Sequence, residues 1–206
     1  VVAGTIADRF DRRAIVIWLN VVRALLLIVI AAAIVTGSVS IVTGGNLTIA
    51  GQAISIVRGL TTGGTGVLTM TDPADVVAVQ GDAVFDGGNE LDLMSAGGLS
   101  IGGNLTQRAT NSGDSFHPSG THVTLLAGAT PTLSFATPGL VPGTSHFQLL
   151  AWIGTGTLTL ATPVMAHDEM VVESQEASTI ASSNGSRLTV SDLFAVGPLA
   201  FNNAPL

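Results

Sequence analysis

From residue 38 onward one short pattern recurs: an apolar residue, a polar residue and a second apolar residue. Leu47-Thr-Ile49, Ile54-Ser-Ile56, Leu91-Asp-Leu93, Leu99-Ser-Ile101, Val123-Thr-Leu125, Leu133-Ser-Phe135, Leu158-Thr-Leu160 and Leu188-Thr-Val190 all follow it. Period two puts the apolar members on one face of a strand and Thr, Ser or Asp on the other, so each run predicts a half-buried strand. Glycine pairs at Gly44-Gly45, Gly63-Gly64, Gly87-Gly88, Gly97-Gly98 and Gly102-Gly103 punctuate them. Tight corners favour glycine because it reaches positive φ without a steric penalty. Gly44-Gly-Asn-Leu-Thr48 also returns as Gly102-Gly-Asn-Leu-Thr106. Short, evenly spaced strands with an internal echo predict a mainly β fold, either a right-handed β-solenoid (β-helix) or tandem small β-sandwiches. Three strands per coil would take roughly twenty residues per turn and give about eight coils.

Before this region the pattern is of another kind. Ala14 to Thr36 is a run of 23 residues in which only Asn20, Arg23 and Thr36 are polar or charged, and about 20 apolar residues cross a bilayer. Its fourteen Leu, Ile and Val residues contribute roughly −4 to −8 kcal/mol to insertion, against about +3 kcal/mol for Arg23. The run therefore predicts one N-terminal helix of transmembrane type. Of the 25 glycines only Gly4 precedes Gly37, and no proline precedes Pro73, so the boundary falls near residue 37. Residues 1–37 read as a membrane-embedded or signal-like helical segment with a cytoplasmic Arg cluster, and 38–206 as an extracytoplasmic, glycine-rich β-repeat region. A leader peptide is the alternative for the first part, with Ala24 to Val35 as its apolar core and Thr36-Gly-Ser-Val-Ser as its small-residue exit. The chain starts at Val1 rather than Met, which reads as a fragment, a fusion or an artificial reading frame.

Composition narrows the function. Charged residues make up 10% of the chain and Lys is absent, so Ser, Thr, Asn and Gly must cover the surface. The net charge is +2 up to Val42 and −9 from Thr43 onward, where Arg58, Arg108 and Arg187 face twelve carboxylates. A body so poor in cations cannot neutralise a phosphate backbone, which excludes nucleic acid as a partner. With no Cys there is no disulfide, no thiolate nucleophile and no Cys-based zinc site.

Two stretches resemble known families. Gly4, Asp8, Arg9, Arg12 and Arg13 fall on the loop signature of major facilitator superfamily transporters, a Gly, three residues, Asp-Arg, two residues and a basic pair. Asp11 stands where many members have Gly, and Trp18-Leu-Asn-Val-Val-Arg23-Ala-Leu-Leu-Leu and Thr36-Gly-Ser-Val-Ser resemble that family's third helix and its exit. The resemblance covers residues 1–42 and implies a membrane segment; a transporter needs a dozen helices, so this chain alone would transport nothing. Residues 97–174, with Ser119-Gly-Thr-His-Val-Thr-Leu125, Leu133-Ser-Phe135, His146-Phe-Gln-Leu149 and Gly156-Thr-Leu-Thr-Leu160, resemble repeats of large bacterial surface proteins of the filamentous-adhesin type. There Met165-Ala-His-Asp-Glu169 replaces the usual glycine-containing turn.

Candidate chemistry is sparse. Asp82, Asp86, Glu90 and Asp92, beside Gly87-Gly88 and Gly97-Gly98, could wrap a calcium ion in the manner of Gly-Gly-x-Gly-x-Asp turns, the one cofactor considered. A solvated acidic turn is the competing reading. His117 and His122 are five apart and so on opposite faces of any strand, while His146 and His167 stand alone in the sequence. No Gly-x-Ser-x-Gly elbow occurs, and the scattered arginines serve a uronate lyase poorly. Asn46, Asn104 and Asn184 head glycan-acceptor triplets or turn corners. Phe147 and Trp152 are either a sugar platform or core. The expectation is a non-catalytic bacterial surface or secreted protein with a structural or adhesive role, touching a membrane through residues 14–36 and meeting an unknown cell-surface or carbohydrate ligand. The alternative is a transporter fragment fused to unrelated sequence.

Overall fold

Every one of the recurring runs needs a neighbour to cover its apolar face, and the chain supplies it by winding. The computed structural model describes residues 33–174 and 176–205. Sheet 1 takes one strand from each coil: β1 (Ala33–Val35), β4 (Ala53–Ile56), β7 (Val76–Val79), β9 (Gly98–Ile101), β11 (Val123–Leu126), β13 (Phe147–Trp152), β15 (Val164–Glu173) and β17 (Leu188–Val196). Sheet 2 takes the next: β2 (Val39–Ile41), β5 (Leu60–Gly63), β8 (Ala83–Asp86), β10 (Leu105–Gln107), β12 (Thr132–Phe135), β14 (Thr157–Leu160), β16 (Ser178–Ser182) and β18 (Leu199–Asn202). β3 (Asn46–Thr48) and β6 (Val67–Thr69) form a short third side, extended by a Met70–Met94 bridge. All pairings are parallel, for example Val76 with Gly98 and Leu105 with Leu133. The result is a β-solenoid of about seven turns, of right-handed type as parallel crossovers require.

Coil length in sheet 1 varies from 19 residues (Phe147 to Ala166) to 26 (Val123 to Leu149). The longer coils carry excursions on the third side, residues 108–122 and 136–146. Inward columns such as Ile54, Val77, Leu99 and Leu150 from sheet 1, and Leu60, Ala83, Leu105 and Leu133 from sheet 2, meet in one continuous core. Phe85, Phe116, Phe135 and Phe147 fill its middle with ring centroids 4.7–5.9 Å apart. Trp152 lies inside as well, its indole N–H donating to the Gly128 carbonyl at 3.1 Å.

Several expectations change in detail. Leu91-Asp-Leu93 is a turn, with Asp92 in the left-handed region at φ 62°. The echoed segments occupy different sides: Asn46–Thr48 is on the third side, Leu105–Gln107 in sheet 2. Met165 to Glu169 belongs to the strand β15, whose pairing slips between Ala166 and Glu169, so no glycine turn is needed there. Ala33–Val35, upstream of the boundary read near residue 37, already pairs with β4. Among the described residues no helix is long and apolar enough to cross a membrane. The rest of the predicted N-terminal helix and the transporter-like positions Gly4, Asp8, Arg9, Arg12 and Arg13 lie outside the described residues.

Candidate functional site

The excursions on the third side bring together side chains far apart in sequence. His117 lies within the first excursion, His146 sits just ahead of β13, and His167 lies at the slip in β15. Their rings stack in a column, with centroids 4.4 Å apart for His117 and His146 and 6.2 Å for His146 and His167. The separations of 29 and 21 residues (117 to 146, 146 to 167) follow the coil lengths, a signal hidden in a sequence whose coils are unequal.

Each ring is held differently. His117 Nδ1–H donates to the Thr144 carbonyl at 2.7 Å and lies 3.3 Å from Asp114 Oδ1. Asp114 in turn accepts the Gly143 N–H at 2.7 Å, which ties the first excursion to the second. His167 is half exposed; its Nδ1 donates to Asp168 Oδ1 at 2.7 Å, and Gln148 Nε2 donates to Asp168 Oδ2 at 2.6 Å. His146 is buried between the two, and its Nδ1 has no partner. Burial pushes its pKa down to about 4, assisted by its two histidine neighbours and opposed by the Gly139 backbone and Asp114. The column is therefore a stack around a neutral central imidazole at neutral pH. Beside the column, Ser191 Oγ donates to the backbone carbonyl of His167.

The four acidic candidates work singly. Asp82 Oδ1 accepts the Asn104 N–H at 2.7 Å and Asp86 Oδ1 accepts the Thr110 N–H at 3.1 Å. Glu90 points into the core, where Oε1 accepts the Leu68 N–H at 3.0 Å and Oε2 has no partner. Asp92 sits on the exposed turn. Among the described residues no group of three or more His, Asp or Glu side chains is arranged to hold a metal ion. His122 is fully buried and donates from Nδ1 to the Ala96 carbonyl at 2.9 Å. Asn104, at an exposed corner, and Asn46, the exposed first residue of β3, accept through Oδ1 the Thr132 N–H and the Thr69 hydroxyl respectively.

Sequence reading missed Gln107, the most connected polar side chain. Buried at the end of β10, it accepts the Ala136 N–H at 2.9 Å through Oε1 and donates from Nε2 to the Arg108 carbonyl at 2.8 Å and Ser115 Oγ at 3.0 Å. An apolar-x-polar ending, Leu105-Thr-Gln107, marks it as a strand position turned inward with a polar side chain.

Fold and site together define a β-solenoid repeat protein whose polar groups run from coil to coil. Compared with protein-family models, curated protein sequences and solved structures, the chain matches none.

Proposed function

We propose that the chain is a non-catalytic, extracytoplasmic β-repeat protein of bacterial origin with a structural or adhesive role. The observation that carries this reading is the use made of its reactive side chains. Asp82, Asp86, Asn104, Gln107 and Asp114 each accept a backbone N–H from a later coil, so they stitch the stack together. A weakly charged, Lys-free surface and a solenoid that presents long flat sides suit contact with extended ligands. The test uses beads coated with the full chain and washed under shear on polysaccharide and protein surfaces. Retention that falls when the stack is weakened by Phe116→Ala is expected. Hydrolysis of any ester, peptide or glycoside by the purified chain, lost in His167→Ala, would overturn the proposal.

A further inference from the structure

The loop between β16 and β17, which returns the chain from sheet 2 to sheet 1, carries the one Asn-Gly pair of the sequence, Asn184-Gly185. It is tied on either side of that pair. The Ser183 N–H donates to the Leu160 carbonyl of the coil before at 3.3 Å, and the Ser186 N–H donates to Ser182 Oγ. Asn184 and Gly185 form the exposed tip of the bend between these ties. Gly185 is at φ 68°, and a Cβ there would find nothing within 4 Å, so its nitrogen is crowded by no side chain of its own and has open space beside it.

Other asparagines are placed differently. Asn46 Oδ1 accepts the Thr69 hydroxyl at 2.9 Å, Asn89 Oδ1 accepts the Leu91 N–H at 2.7 Å, and Asn104 Oδ1 accepts the Thr132 N–H at 2.9 Å. Asn111 Nδ2 donates to the Asp86 carbonyl at 2.8 Å. Each of the four is followed by a residue with a side chain: Leu47, Glu90, Leu105 or Ser112. The related pair Asp86-Gly87 is pinned, with Asp86 Oδ1 accepting the Thr110 N–H and Gly87 packed against the Gly66 carbonyl.

We propose that Asn184-Gly185 is a site of spontaneous rearrangement in the folded chain, and that its main product loosens β17 and β18. The Gly185 nitrogen attacks Asn184 Cγ. The N–Cγ bond forms, the Cγ–Nδ2 bond breaks, and Nδ2 leaves as ammonia with the proton given up by the Gly185 nitrogen, so a five-membered imide remains. Water then opens the ring. Cleavage at Cγ gives aspartate at 184, and cleavage at the main-chain carbonyl carbon gives isoaspartate, in which the backbone runs through Cβ and Cγ. The sum is one water consumed and one ammonia released, with no oxidant or metal. Isoaspartate lengthens the backbone by one bond of about 1.5 Å, in a loop whose two ends are fixed. Ser182 ends β16, while Leu188 opens β17, pairs with Val164 and gives its N–H to the Pro205 carbonyl at 3.0 Å. The Ser182–Ser186 hydrogen bond spans the lengthened segment and is the first contact to be lost.

The test ages the full chain at pH 8, where the attacking nitrogen gives up its proton more readily than at pH 5, beside the same chain unfolded in guanidinium chloride. The folded chain should convert at a rate within about ten-fold of the unfolded one, a barrier difference of at most about 1.4 kcal/mol. Ammonia should be released, isoelectric focusing should show one negative charge more than the parent's −7, and tandem mass spectrometry should locate aspartate and isoaspartate at 184. Asn184→Gln, which would have to close a six-membered ring, and Gly185→Ala should each lose the product. In the converted chain the amides of β17 and β18 should exchange at least about ten-fold faster while those of β9 to β13 stay as they were. Freshly prepared Asn184→Asp, with the charge but not the extra bond, should exchange like the parent. A folded chain left intact at 184 while the unfolded chain converts overturns the proposal. So does a converted chain whose β17 and β18 exchange like the parent's, or an Asn184→Asp chain that exchanges as fast as the converted one.

Discussion

Two buried side chains couple the fold to pH in opposite directions. His122 is fully buried, and burial lowers its pKa from 6.5 to about 4, outweighing the Ala96 carbonyl and Asp75. An unfolded chain then binds the proton more readily than the folded one between pH 6.5 and 4, so stability is full above that window and declines as pH falls through it. The whole decline amounts to about 3 kcal/mol. His122→Asn keeps a donor near the Nδ1 position and does not titrate. Urea denaturation between pH 7 and pH 4.5 should show a smaller loss in this variant than in the parent. Glu90 works the other way: burial holds its carboxyl well above the usual range, against the lowering effect of the Leu68 N–H. The folded state therefore holds the proton more tightly, and stability declines as pH rises above 4.5. Glu90→Gln keeps an acceptor for Leu68 and cannot ionise. Its melting temperature should exceed the parent's at pH 7 by a few degrees, the effect of about 1 kcal/mol in a domain of this size, with the difference vanishing at pH 4. Neither residue declared itself in the sequence, where Glu90 looked like one of four solvated carboxylates. Only the turn of the coil at Gly87-Gly88 decides that Glu90 points inward while Asp92 points out.

Among the elements, strands were the legible part and corners the illegible one. Runs such as Leu99-Ser-Ile101 and Leu133-Ser-Phe135 became strands because the alternation of apolar and polar positions fits a half-buried sheet. Leu91-Asp-Leu93 has the same alternation but lies on the third side, where the pairing with the preceding coil is a single bridge between Met70 and Met94, and it turns. Glycine was read as a supplier of positive φ, and Gly44 and Gly97 at φ 76° and 77° fit that reading. At the corner after β11 the reason is different. Gly128 has an ordinary φ, but a Cβ there would run into the carbonyl oxygen of Gly102 one coil earlier, and one on Gly102 would meet that of Gln80. Stacked coils approach backbone to backbone at this corner, which no local pattern announces. Gly128→Ala must push two coils apart and should lower stability by about 2–3 kcal/mol. Gly185→Ala, in open space though at φ 68°, should lower it by about 1 kcal/mol. Paired chemical denaturation of the two variants checks this order.

At the scale of the whole molecule, each coil touches only the coils before and after it, so stability is a sum of coil terms and interfaces between neighbours. The interfaces are not equal. The coils from β8 to β13 share the Phe85, Phe116, Phe135 and Phe147 cluster and the Gln107 network, whereas Phe194, Val196 and Phe201 of β17 and β18 are exposed. Opening should therefore start at β17 and β18 and stop at the phenylalanine cluster. Native-state hydrogen exchange should find the amides of β9 to β13 exchanging only with global unfolding, and those of β17 and β18 exchanging at much lower free energy. Ile180→Ala, in the inner face of β16, removes about 2–4 kcal/mol of core packing. Because the strand pairs with β14 and β18 alone, it should release β15 to β18 while β9 to β11 keep their protection. A single cooperative loss of protection from β4 to β18 in that variant would mean that the molecule unfolds as one unit and that the coils are not independent terms.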